Sequence, residues 1–151
     1  MLQKDFADVG LEIVAQPITF NTLVESIRTQ YTWEAFVLGW ASGVPPDPLQ
    51  SKSIIQSFGE SHNWFPKQAA PATEWEARMD ALVKEMAQTV DKAARKAIND
   101  QIQTILAEQQ PMIFIYSPKM YVATRNKFAN LKCSLLRPYT YWNIFEIAVT
   151  K

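Results

Sequence analysis

Cysteine and histidine are almost missing from this chain: Cys133 and His62 are the only ones in 151 residues. A single cysteine excludes an internal disulfide, and one of each cannot assemble the ligand set of a structural zinc site. Net charge is missing too. Fifteen basic and fifteen acidic side chains cancel, so there is no electrostatic case for a nucleic-acid partner, which needs a surplus of Lys and Arg. No apolar run approaches the roughly 20 residues that cross a bilayer, and no basic stretch followed by an apolar core marks a signal peptide. A Gly-x-Ser-x-Gly elbow and a phosphate-binding glycine pattern are both lacking. What is present is the composition of an ordinary globular domain, 48% apolar and 20% charged.

Along the chain, Leu2, Phe6 and Val9 share one helical face, and Gly10 follows where a left-handed C-terminal residue belongs. A chain that opens inside a helix reads as truncated, which leaves localisation open. Leu11 to Ile18 alternates as a strand does, Thr19 caps a helix with the stripe Phe20, Leu23, Val24 and Ile27, and Ala35 to Trp40 reads as a second strand. Together these predict a βαβ unit. A short helix is expected within 49–58, then an irregular segment over 59–72. Thr73 with Glu76 forms a capping box that opens a helix with the stripe Trp75, Met79, Leu82, Val83 and Met86. A second helix starts near Asp91, carries Ala94, Ile98, Ile102, Ile105 and Leu106, and stops before Pro111. Strands are expected at Met112–Tyr116, Tyr121–Arg125 and Asn143–Val149. The sum is an α/β domain with two long helices before its closing strands.

The segment that stands out is Phe36-Val37-Leu38-Gly39-Trp40-Ala41-Ser42-Gly43-Val44-Pro45-Pro46-Asp47-Pro48. An apolar run enters an aromatic residue, small residues and a proline-stiffened loop that can neither pair nor continue as helix. Strand ends of this kind are where open α/β sheets hold ligands. Several marks occur in order: Asp8-Val9-Gly10-Leu11-Glu12-Ile13, Leu38-Gly39-Trp40, Trp75 to Leu82, Asp91 to Lys96, and Ile105 to Pro111. In that order they resemble the C-terminal portion of the family 5 extracellular solute-binding proteins, the oligopeptide and dipeptide receptors of ABC importers. The resemblance covers essentially the whole chain. It implies a two-lobed binding fold of the class II, cluster C type, with residues 1–118 as most of the C-terminal lobe. Residues 119–151 would return toward an N-terminal lobe absent from this chain. It further implies a secreted or lipid-anchored receptor on the periplasmic or extracellular face. Such a receptor captures a small solute and delivers it to permease subunits in the membrane.

By the same resemblance, the aspartate that accepts a peptide's free α-amino group falls at Gly43, where no carboxylate stands. A buried ammonium without a counter-charge is costly. Blocked peptides, sugars, metal chelates and lipid-like solutes are therefore expected over ordinary free-amino peptides.

The candidate ligand-binding residues are Trp40, Ala41, Ser42, Gly43, Val44, Asp47, His62, Asn63 and Trp64; no catalytic residue, metal ligand or cofactor is expected. Each has a plainer explanation. Trp40 can wedge the loop against the core, and Gly43 can supply a positive φ. Asp47 can cap the next helix, and residues 62–64 can form an exposed loop with Trp64 tucked under Pro66. Glu85, Lys92, Arg95 and Lys96 read as a solvated helix face, Cys133 as a small packed side chain, and Tyr139 to Trp142 as a packed aromatic strand. Two other classes compete with a receptor: a small α/β hydrolase-like enzyme, and an interaction domain using the helix pair at 73–109.

Overall fold

Capping residues decide where the helices of this protein begin and end. The computed structural model describes residues 2–41, 43, 44, 46–134, 136 and 138–150, and these fall into two compact units, 1–37 and 38–151.

In the first unit, α1 (Leu2–Ala7) ends as expected. The Gly10 amide donates to Ala7 O (3.0 Å) and the Leu11 amide to Phe6 O (2.9 Å). Gly10 takes φ 85°, a conformation that other residues adopt only at a cost. Thr19 caps α2 (Phe20–Glu25), its hydroxyl accepting the Thr22 amide at 3.2 Å. The helix then widens into a π-turn, Ser26–Gln30, closed by Tyr31 in the left-handed region. Ile27 is buried there, and Trp33 meets Phe36 edge-on at 5.6 Å.

The second unit is organised by a helical hairpin, α4 (Glu74–Gln88) and α5 (Lys92–Gln109), joined by residues 89–91. The predicted capping box is formed at Thr73, and the Asp91 carboxylate accepts the Ala94 amide at 2.8 Å. Met79, Leu82, Val83 and Met86 from α4 close on Ile98 and Ile102 from α5. Ile55 from the short α3 (Lys52–Ile55) completes this cluster, with Leu49, Trp64 and Trp75 packed around it. Each such buried side chain contributes about 1.5–3 kcal/mol. At the other end of α5, Gln110 adopts φ 47° and Pro111 follows.

The predicted sheet is not formed. Among the described residues the strands are β1 (Phe128–Ala129) and β2 (Ala148–Val149), antiparallel with Phe128 opposite Val149. Segments 11–18, 35–40, 112–116 and 121–125 carry no ladder, and Val14, Val37, Ile113, Phe114, Tyr116 and Tyr121 are exposed. The period of the apolar residues encodes a strand's faces, but a strand exists only when a neighbour accepts its N–H and C=O groups. For the same reason there is no βαβ unit among the described residues.

The expected strand at 143–149 is interrupted as well. The Asn143 amide donates to Asn130 O (2.7 Å) and Glu146 Oε2 (3.3 Å), bending the chain into a 3-10 turn at Ile144–Glu146. Only Ala148 and Val149 then pair. Tyr139 to Trp142 lie in a turn, with Tyr141 and Trp142 exposed, and Cys133 is exposed rather than packed. The result is a small mixed α/β fold dominated by its helical hairpin. Among the described residues no helix is long and apolar enough to cross a membrane.

Candidate functional site

The loop 38–48 opens onto solvent through its aromatic and apolar members: Trp40 is 50% and Val44 55% exposed, and Ala41 is exposed beside them. Ser42 and Pro45 lie outside the described residues. Gly43 is half-buried. A Cβ at this position would overlap the end of the Gln50 side chain. Those atoms are the far end of a flexible side chain that can move aside, so the contact does not by itself require glycine.

Asp47 anchors the far end of the loop. Its Oδ1 accepts the Leu49 amide at 2.8 Å, capping the 3-10 turn Pro48–Ser51, and takes Arg95 Nη2 at 2.6 Å. Arg95 also donates through Nη1 to Met86 O (3.2 Å) and Thr89 O (3.3 Å). Arg95 was expected on a solvated face; instead it ties the loop to the turn between α4 and α5. The reason is reach, since a guanidinium one turn into α5 spans two carbonyls at the end of α4 and the carboxylate. Replacing Arg95 by Ala is expected to lower stability by about 1–2 kcal/mol. Amide exchange at Leu49 and Gln50 should rise with it, which urea unfolding and hydrogen–deuterium exchange check.

The other predicted cluster lies inside the fold. His62 is 1% exposed, its Nδ1 donating to Ile54 O at 3.0 Å. Its Nε2 stands 3.4 Å from Glu76 Oε1. Trp64 packs against His62 in a tilted arrangement, ring centroids 4.0 Å apart, and lies 6.3 Å from Trp75. Asn63 is half-buried between them in sequence. Residues 62–64 thus form no solvent-exposed loop patch.

The hub of this cluster is Glu76, a residue that the sequence points to only as a cap. Its Oε1 accepts Trp64 Nε1 (3.1 Å). Its Oε2 accepts Gln68 Nε2 (3.0 Å) and the amides of Ala72 (2.8 Å) and Thr73 (3.1 Å). Burial alone would raise its carboxyl pKa. The donors from Gln68, Ala72, Trp64 and His62 overcome that and hold it at about 2, against an ordinary 4.5. A signal for Glu76 did exist, since it shares the helical face of Met79, Val83 and Met86 by spacing. Asp80 was missed entirely: its carboxylate accepts the Ser57 amide (2.9 Å) and hydroxyl (2.6 Å), pinning the chain after α3 to α4. Among the described residues no group of three or more His, Cys, Asp or Glu side chains is placed to hold a metal ion.

The site is therefore an exposed aromatic loop on a rigid support. Arg95 holds it from α5, and the loop's continuation through α3 is braced by His62, Glu76 and Asp80. Such an arrangement can offer a stacking surface and backbone groups to a ligand.

Two curated proteins resemble this chain. The Oligopeptide-binding protein AppA of Bacillus subtilis (strain 168) is 25% identical over 125 residues, which is 82% of this chain and 21% of that protein. Di/tripeptide-binding protein 4 of Pseudomonas aeruginosa (strain UCBPP-PA14) is 27% identical over 128 residues, 83% of this chain and 22% of that protein. The chain spans about a fifth of the length of these relatives. No protein-family model and no solved structure matches it. The chain is thus distantly similar to part of peptide-binding solute-binding proteins.

Proposed function

We propose that this chain is part of the solute-binding receptor of an ABC importer, that it binds without catalysis, and that its solute is peptide-like. The observation that carries this reading is the similarity to two peptide-binding proteins over more than four-fifths of the chain. In this reading residues 1–118 belong to the C-terminal lobe of a class II, cluster C binding fold, and 119–151 return toward the other lobe. The receptor works on the periplasmic or extracellular face and hands its solute to the permease.

The loop 38–48 is then one wall of the cleft, with Trp40 as the stacking surface and Ala41, Ser42, Gly43 and Val44 supplying backbone contacts. His62, Asn63 and Trp64 support that wall. Asp47, the nearest acid in the loop, is already engaged by Arg95 and the Leu49 amide. A free ammonium would have no unpaired carboxylate to meet there, which favours solutes with a blocked amino end.

Native mass spectrometry of the full polypeptide carrying this sequence, purified without denaturant, tests the proposal. A bound small solute of peptide-like mass is the expected result. Purification empty, with no saturable binding of any member of a peptide library, would overturn it.

A further inference from the structure

A groove of about 930 Å³ lies in the second unit between the 3-10 turn, α3 and α4. This is the size of a small-molecule site. Leu49, Val83 and Ala87 give it an apolar lining, and Phe58, 62% exposed, stands at its wall. Four charged side chains line it: Asp47, Asp80, Lys52 and Lys84.

The two signs are not equivalent. Asp47 is paired with Arg95 and capped by the Leu49 amide, whereas Asp80 accepts the amide and hydroxyl of Ser57 and enters no ion pair among the described residues. Among the described residues the ammonium groups of Lys52 and Lys84 enter no ion pair and no hydrogen bond. The groove therefore holds two unpaired ammonium groups against one unpaired carboxylate, with an apolar floor and an exposed aromatic ring.

We propose that this groove binds a small monocarboxylate with an apolar or aromatic body. The carboxylate lies between Lys52 and Lys84, and the body rests on Leu49, Val83 and Phe58. A cationic ligand would meet two unpaired ammonium groups against a single unpaired carboxylate. A bare inorganic anion would give up hydration against apolar walls that return nothing. An amphipathic acid satisfies both parts of the lining, because charge-assisted hydrogen bonds and apolar burial act together. The inference rests on this groove alone and does not depend on the receptor reading.

The test is an NMR titration of the 151-residue chain, labelled at its methyl groups, with N-acetylphenylalanine and separately with its primary amide. The acid is expected to give saturable shifts at the Leu49 and Val83 methyls, with the amide weaker by about ten-fold or more. The double variant K52Q/K84Q should abolish that preference while leaving the Met79 and Met86 methyl signals, reporters of the intact core, in place. Both lysines are exposed, so the fold does not depend on them. Equal affinity for acid and amide, absence of saturable shifts at Leu49 and Val83, or a preference that survives the double substitution would each overturn the proposal.

Discussion

Glu76→Ala is expected to cost about 3–5 kcal/mol of unfolding free energy, the range found when one partner of a buried charged cluster is removed. The side chain is 3% exposed and gathers donors from three segments: Trp64, Gln68 and the 72–73 backbone. Removing the carboxylate leaves an indole N–H, an amide N–H and two backbone N–H groups buried or half-buried without an acceptor. Each orphaned donor carries its own desolvation cost of roughly 1–3 kcal/mol, reduced where water can enter. The capping box at the start of α4 is lost in the same substitution. Urea unfolding followed through Trp64 and Trp75 fluorescence gives the value directly. A loss below about 1 kcal/mol, the scale of an isolated cap, would show that Glu76 is only a helix cap.

Acid is expected to act through the same carboxyl. In the fold it ionises at about 2, against an ordinary value of 4.5. The unfolded chain therefore takes up this proton first as pH falls. The contribution of Glu76 is complete above about pH 4.5 and is lost progressively as pH falls toward 2, amounting to about 3 kcal/mol. Stability measured between pH 6 and pH 2 should fall steeply across that window. In Glu76→Gln, which keeps the shape of the side chain, the fall should be shallower by about that amount. An identical acid limb in the two proteins would contradict the assignment.

How far the sequence could be read depended on how local each interaction is. The helices were legible because their determinants lie within a turn or two: Thr19, the Thr73–Glu76 box, Asp91, and the stripe from Met79 to Met86 all do what their spacing implies. The strands were not, because Leu11–Ile18 and Met112–Tyr116 have the composition of strands but no ladder partner among the described residues. Within the candidate site, the role of Asp47 as a cap was legible two residues away. Its pairing with Arg95, 48 positions distant, was not. The same holds for His62. A lone loop histidine gives no sequence sign of a carboxylate fourteen residues later that folds back against it. Gly43 was read as a turn residue because that is the local use of glycine; the approach of the Gln50 side chain to it had no sign in the sequence.

These long-range ties bear on the functional reading. Arg95 and Asp47 fix the far end of the segment that begins at the exposed Trp40. The two rivals remain weaker on the same geometry. An enzyme would need a nucleophile or acid–base pair facing the loop, whereas His62 and Glu76 are buried in the fold. An interaction domain would need a partner for the outer faces of α4 and α5, which carry ordinary solvated charges such as the Lys96–Asp100 pair.

The most direct measurement is calorimetric titration of the full polypeptide with one tripeptide in two forms, free at its amino end and N-acetylated. Saturable binding that favours the acetylated form is the predicted result, because Gly43 supplies no acid and Asp47 is already paired. Tighter binding of the free-amino form would contradict the role assigned to Gly43, and binding of neither, across a varied set of tripeptides, would contradict the receptor itself.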